Sequence, residues 1–346
     1  MNLKSAFLFL PLLILGFVLG YLLLQKTYPT VVNIQSKQQV NDSAKDFPFQ
    51  ELTIPYLRER KYSSTLGDLK KYKASANYTS YLTSYDSDGL KINGLITIPN
   101  DDKTKKHPAI VFVHGYIAPS IYRTTEKYVE YVDYLARNGY VVFKIDLRGH
   151  GESDGEATGS YYSGDYVIDT INAYNALENT SFVDPNKIGL WGHSMAGNVT
   201  LRAFAAKPQI PAVAIWAGAG FTYSDLLEYR ISDNSYRPPA QSTDRQKRRE
   251  ELRKLYGDFD PNDAFWKKVA PSNYLSDLVG AISLFHAADD TVVSVEYSRN
   301  IKKLLDEAGI KNEYYEYRGG GHNITNPNFS QAMQTTVEFF DKYLKN

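Results

Sequence analysis

The stretch Lys187-Ile188-Gly189-Leu190-Trp191-Gly192-His193-Ser194-Met195-Ala196-Gly197 decides the fold. A short apolar run reaches Gly192. Ser194 follows, with small residues at Ala196 and Gly197, and then the helix-compatible run Asn198 to Ala206. A serine on a sharp turn between a strand and a helix is the layout of a nucleophile elbow. Such a turn strains the serine backbone, so its neighbours must be small. Ala196 stands where the strict Gly-x-Ser-x-Gly pattern has glycine. A second segment, Gly151-Glu152-Ser153-Asp154-Gly155, fits that pattern to the letter, but it follows a loop (Leu147 to His150) and precedes a poor helix start (Glu156 to Ser160). The setting selects Ser194 and leaves Ser153 as a surface loop serine.

Around the elbow, strands and helices alternate. Upstream, Tyr78–Tyr85 and Lys91–Ile98 flank Asp86-Ser87-Asp88-Gly89. Ile92, Gly94, Ile96 and Ile98 alternate with other residues, as in a half-buried antiparallel strand. Ala109–Val113 and Tyr140–Ile145 read as buried parallel strands. Between them a helix is predicted over Thr124–Asn138, with Val129, Val132 and Ala136 on one face and Gly139 as its stop. A helix over Asp165–Leu177 precedes the strand Ile188–Trp191. Strands Pro211–Trp216, Ala281–His286 and Glu313–Tyr317 follow, with a helix over Val295–Ala308 and another around Met333, Val337, Phe340 and Leu344. This rhythm predicts an α/β fold with a largely parallel sheet covered on both faces.

Residues 220–275 break the alternation. Arg237-Pro238-Pro239 interrupts the chain, and Thr243 to Leu255 reads as a charged helix with Thr243 and Gln246 at capping-box spacing. The insertion is expected to form a lid over the carboxyl edge of the sheet, where such sheets bind ligands.

The composition sets limits. The chain has 346 residues, 43% of them apolar, enough for one large α/β domain with an appendage. Lys+Arg and Asp+Glu both number 39, so no basic excess points to a nucleic-acid partner. The absence of cysteine excludes disulfides, thiolate metal sites and a cysteine nucleophile. No glycine loop with a dinucleotide fingerprint and no metal-spaced cluster competes, so no cofactor and no metal are expected.

The N-terminus differs from the rest. After a short tail (1–4), residues 5–24 are almost wholly apolar and lie between Lys4 and Lys26. A run of roughly 20 residues spans the hydrocarbon core of a bilayer. It is read as an uncleaved transmembrane anchor, with secretion after signal cleavage as the alternative. Residues 25–50 follow as a polar stalk and 51–346 as the catalytic domain, which is expected outside the cytoplasm.

A serine hydroxyl is a weak nucleophile and needs a base, which in turn needs an orienting carboxylate. In this layout the chain order is serine, acid, histidine. Of the histidines at 107, 114, 150, 193, 286 and 322, His322 lies far enough downstream, after Gly319-Gly320-Gly321. His193, inside the elbow, is expected to point away from the reacting centre. The acid falls in His286-Ala287-Ala288-Asp289-Asp290-Thr291-Val292-Val293. Asp290 is the reading of choice, Asp289 the alternative, and the unused one is expected to be a solvated turn residue. The oxyanion of acyl transfer needs two N–H donors. They are expected from the backbone of Met195, after the nucleophile, and of Tyr116, in the loop His114-Gly115-Tyr116.

With these residues in view, the chain from about Tyr56 onward resembles the α/β-hydrolases, in particular the catalytic domain of the prolyl oligopeptidase family. The matching segments are His114-Gly115-Tyr116, Asp146-Leu147-Arg148-Gly149-His150-Gly151-Glu152-Ser153, Trp191 to Gly197, Asp290-Thr291-Val292-Val293 and Gly320-Gly321-His322. The resemblance implies Ser194 as nucleophile, Asp290 as acid and His322 as base. It also implies an eight-stranded sheet in which only the second strand is antiparallel. The expected activity is that of a serine hydrolase acting on a short peptide or a small-molecule ester through an acyl-enzyme, peptidase-like by resemblance and carboxylesterase as runner-up. From a different class comes the reading of an inactive hydrolase fold used for binding.

Overall fold

The computed structural model describes residues 47–102, 104–229, 231 and 243–346. The expected membrane span 5–24 and the stalk up to residue 46 lie outside the described residues, as do 232–242 of the insertion. Among the described residues no helix is long and apolar enough to cross a membrane.

The chain from Pro48 to Asn346 folds around a sheet of strands β1 (Lys70–Ala74), β2 (Tyr78–Ser87), β3 (Leu90–Pro99), β4 (His107–Val113), β5 (Val141–Ile145), β6 (Val183–His193), β7 (Ala212–Trp216), β8 (Ala281–Ala287) and β9 (Asn312–Tyr317). Their order is β1-β2-β3-β5-β4-β6-β7-β8-β9. Pairing is antiparallel from β1 through β3 to β5 and parallel from β5 to β9.

Among the described residues the expected eight strands are therefore nine, and two of them, β1 and β3, run against the rest. The addition is the edge strand β1, Lys-Lys-Tyr-Lys-Ala, exposed at every position. A strand that buries neither face carries no apolar alternation to read. Its lysines suit an edge that must not pair with another chain.

The core forms two layers because alternate side chains of a strand face opposite ways. Ala109, Val111 and Val113 of β4 join one apolar cluster, whereas Ile110 and Phe112 join the other. The first layer includes α1 (Ile54–Glu59), α3 (Asp165–Glu178), the fully buried α4 (Ala196–Ala206) and α8 (Glu296–Glu307); the second includes α2 (Val129–Arg137) and α9 (Phe329–Leu344). In the second layer Trp191 stacks on Phe112 at 4.0 Å, and buried Trp216 donates its indole N–H to Thr336.

Helix α2 starts later than predicted. Thr124 donates its hydroxyl to Asp146 at 2.5 Å, holding 124–128 in turns, and Tyr128 takes a left-handed conformation (φ 59°) at the helix head. Val129, expected on the inner face, is exposed; Val132, Leu135 and Ala136 are the buried residues of the helix.

The motif Asp146 to Ser153 is largely structural. Buried Arg148 donates from Nε and Nη2 to Asp169 of α3, with the shortest contact at 2.7 Å, and Asp169 also accepts the Ser87 hydroxyl and the Arg148 backbone N–H. Breaking a buried ion pair on one side leaves an uncompensated charge. Asp169→Asn is accordingly expected to lower the unfolding free energy by about 3–5 kcal/mol, read from urea titration. A loss under about 1 kcal/mol would mean that Asp169 is not what holds this guanidinium.

Candidate active site

Strand β6 delivers the elbow. Ser194 sits at φ 57°, a conformation that a side chain with a Cβ adopts only when the surroundings enforce it. Three backbone bonds enforce it here: Ser194 N–H to Trp216 O (2.9 Å), and Gly197 N–H (2.8 Å) and Ala219 N–H (3.2 Å) to Ser194 O. A Cβ at Gly192 would lie 2.7 Å from Thr200 Cγ2, so that position must be glycine. At Gly197 a Cβ would meet Gly218 Cα at 2.6 Å. The close approach thus falls at 197, and the methyl of Ala196 is fully buried without replacing it.

Ser194 Oγ lies 2.8 Å from His322 Nε2, and His322 Nδ1 lies 2.8 Å from Asp290 Oδ2. The carboxylate accepts, so Nδ1 carries the proton, and the bare Nε2 accepts from the serine hydroxyl. The Asp290 side chain has no solvent exposure. Its Oδ1 accepts the Val292 and Val293 N–H groups at 2.8 and 3.0 Å, and its Oδ2 also accepts from His286 Nε2 at 3.1 Å. Burial alone would push this carboxyl up, but hydrogen bonds from His286, His322 and the backbone hold it well below the usual carboxylate range. His286 was not singled out from the sequence. It is a buried strand residue whose Nδ1 accepts from Ser298, and nothing in its local sequence distinguishes it from core filler.

Asp289 differs from its expected role. It is exposed, yet its carboxylate accepts the N–H groups of Gly321 (2.8 Å) and Gly320 (3.3 Å), just ahead of His322. Both glycines have positive φ, and the loop is held besides by Thr325 and Ile324 N–H groups on the Gly320 and Gly321 carbonyls and by Asn328 on Gly319 O. Asp289→Ala should loosen the histidine loop and lower kcat by roughly tenfold, less than the hundredfold that about 1 Å of misplacement costs. No change in kcat would mean that the loop holds itself.

His193 also differs. It lies with its ring 4.6 Å from that of His322, lines the cavity and donates Nε2–H to His322 O at 2.8 Å. The peptide that leads into Ser194 therefore also touches the loop that carries His322. Ser153 belongs elsewhere: its hydroxyl oxygen accepts the Asn93 N–H of β3.

The cavity at Ser194 measures about 690 Å³. Tyr116, Ile117, Ile121, Tyr131 and Phe329 give it an apolar lining, and exposed Lys127 and Glu130 lie at its border. Tyr116 borders it beside the serine, and Met195 heads α4, where the first N–H groups of a helix have no partner within it. This cavity is lined by none of the described residues of the insertion 220–275. Its helix α6 (Thr243–Tyr256, following the short α5, Ser224–Glu228) instead ties to the start of the domain. Arg248 pairs with Glu51, and Tyr256 donates to Pro48 O at 2.8 Å. Stacking of Tyr256 on Phe265 of α7 (Ala264–Val269) at 3.8 Å fixes the end of α6 there.

Two family models match the chain, serine aminopeptidase S33 over residues 104–240 and acetyl xylan esterase over 33–166. A probable dipeptidyl-aminopeptidase B of Coccidioides posadasii is 25% identical over 321 residues, covering 87% of this chain and 31% of that protein. The dipeptidyl-aminopeptidase B of Aspergillus niger is 23% identical, covering 86% and 32%. The chain thus spans about a third of the length of these curated relatives. Among solved structures, Pyrococcus horikoshii acylaminoacyl peptidase superposes with TM-score 0.61 at 20% identity, over 79% of this chain and 43% of that one. Acetyl xylan esterase 1 of Thermoanaerobacterium sp. superposes with TM-score 0.56 at 19% identity, over 83% and 90%. These structural likenesses speak for the fold, and the sequence matches name peptidases and esterases that share it. The chain has the α/β-hydrolase fold, and its sequence resembles serine peptidases and esterases, with the prolyl oligopeptidase family among those it is similar to.

Proposed function

We propose that this protein hydrolyses a carbonyl substrate through an acyl-enzyme on Ser194, with His322 as general base and Asp290 as its orienting acid. The carrying observation is the unbroken hydrogen-bonded line from Ser194 Oγ through His322 to Asp290 at the wall of an open cavity. Ser194 Oγ attacks the carbonyl carbon as His322 Nε2 takes its proton. The oxyanion accepts the backbone N–H groups of Tyr116 and Met195. The intermediate collapses as His322 protonates the leaving amine or alcohol, and water then repeats the sequence to release the acid.

Short peptides or acylated amino acids are the proposed substrates, a reading supported by the aminopeptidase and acylaminoacyl peptidase relatives. A carboxylesterase acting on small acyl esters is the second reading. One observation favours it: an acetyl xylan esterase family model matches residues 33–166. Aminoacyl anilides assayed beside p-nitrophenyl esters separate the two. Turnover of the anilides supports the first reading, and ester turnover with inert anilides supports the second. A wild-type protein that a fluorophosphonate probe fails to label would instead favour a binding role for the fold.

The apolar run 5–24 supports anchoring in a membrane, and we propose that the hydrolase then lies outside the cytoplasm. A reporter fused after Asn346 and active only in the cytoplasm should then stay silent.

A further inference from the structure

We propose that Tyr128 and His193 form a positioning relay that ties the oxyanion loop to the base loop beneath the nucleophile; it rests on the reading of Ser194 and His322 given above. The chemistry of the two ends fixes every proton between them. His322 O can only accept, so His193 Nε2 carries the hydrogen of their 2.8 Å bond. In a neutral ring Nδ1 then accepts, and its partner at 2.8 Å is the Tyr128 hydroxyl. That hydroxyl donates to His193, and its oxygen accepts the Gly115 N–H at 3.0 Å. Burial first, and the neighbouring His322 next, hold the His193 imidazole down at about 3, so it stays neutral at working pH. The line runs from Gly115, one residue before the oxyanion donor Tyr116, to the carbonyl of the base.

Two further observations show that the contact is built. Tyr128 occupies a left-handed conformation at the head of α2, and this places its ring edge-on to Phe112 and His193. At Gly115 a Cβ would meet the Tyr128 hydroxyl at 2.8 Å and His193 Nδ1 at 3.1 Å, so the loop approaches the pair as closely as only glycine allows. Both residues also line the cavity beside Ser194. Their effect is on where the donor and the base stand relative to Ser194, and such errors of placement lower kcat more than they raise KM.

The test uses the full chain and four variants. Tyr128→Phe keeps the ring and removes only the hydroxyl. His193→Leu removes both bonds, and His193→Gln keeps an N–H that can reach His322 O. The fourth is the double variant Tyr128→Phe/His193→Leu. On p-nitrophenyl acetate we expect kcat to fall roughly ten- to a hundredfold in Tyr128→Phe and His193→Leu, with KM changed by no more than about twofold. His193→Gln should recover part of the loss, and the double variant should be no worse than the poorer single one. Hydrogen exchange read by mass spectrometry should speed up in Tyr128→Phe at both 114–116 and 320–323. Unchanged kcat in a folded Tyr128→Phe, or faster exchange confined to 114–116, would overturn the relay. Fluorophosphonate labelling of the wild type checks the nucleophile separately; if labelling is absent that reading fails, and the exchange data still decide whether the two loops are joined.

Discussion

Ser194→Ala is expected to abolish fluorophosphonate labelling and to lower kcat by about a millionfold, the scale reached when the nucleophile of such a triad is removed. Nothing else at position 194 changes much. Alanine keeps the Cβ, so the left-handed backbone is neither relieved nor further strained, and the three backbone bonds that hold it involve no side chain. The urea midpoint should therefore match that of the wild type, which separates loss of chemistry from loss of fold. Ser153→Ala is the matched control, because its hydroxyl serves Asn93 and lines no part of the cavity. Labelling that survives in Ser194→Ala and disappears in Ser153→Ala would place the nucleophile in the other glycine-flanked segment.

The second large effect is expected for Asp290→Asn, a fall in kcat of about ten thousandfold, as when an orienting carboxylate becomes an amide that favours the wrong imidazole tautomer. The surroundings of Asp290 make the change costly. Its two oxygens accept four N–H groups, two from backbone and two from imidazoles. An asparagine nitrogen would face donors whichever way the amide turned. The same bonds link Asp290 to stability. Its pKa in the folded protein lies below that of the unfolded chain, about 3.9 for an aspartate. Such a group contributes stability that is present above the unfolded value and is lost as pH falls through the folded one. The wild type should lose stability as pH drops below about 4, and Asp290→Asn should lack that part of the slope. Urea titrations at neutral pH and near pH 3 measure the difference. A larger kcat loss in Asp289→Ala than in Asp290→Asn would reverse the two roles.

The neighbouring aspartates show where local reading stops. Both lie in a turn after a strand and ahead of an apolar pair, so sequence spacing can do little more than order them. What separates them is a loop more than 30 residues away: His322 Nδ1 meets one carboxylate, and the Gly320 and Gly321 N–H groups meet the other. His193 illustrates the same limit. Its position before Ser194 suggested a side chain turned away, since alternation along a strand sends neighbours to opposite faces. The turn at Ser194 ends that alternation, and the ring meets Tyr128 and the His322 carbonyl instead.

By itself the sequence determined the alternation of strands and helices, the elbow that sets Ser194 between them, and the chain order that marks His322 and the Asp289-Asp290 turn. These are legible because they rest on local spacing: apolar periodicity, small residues at a tight turn, glycines ahead of a histidine. Only the tertiary structure decided which aspartate meets the imidazole, that an exposed lysine-rich strand extends the sheet, that α2 begins at Val129, and that the described part of the insertion grips residues 48–51. Each of these depends on contacts between segments distant in the chain, whose energies no local pattern records.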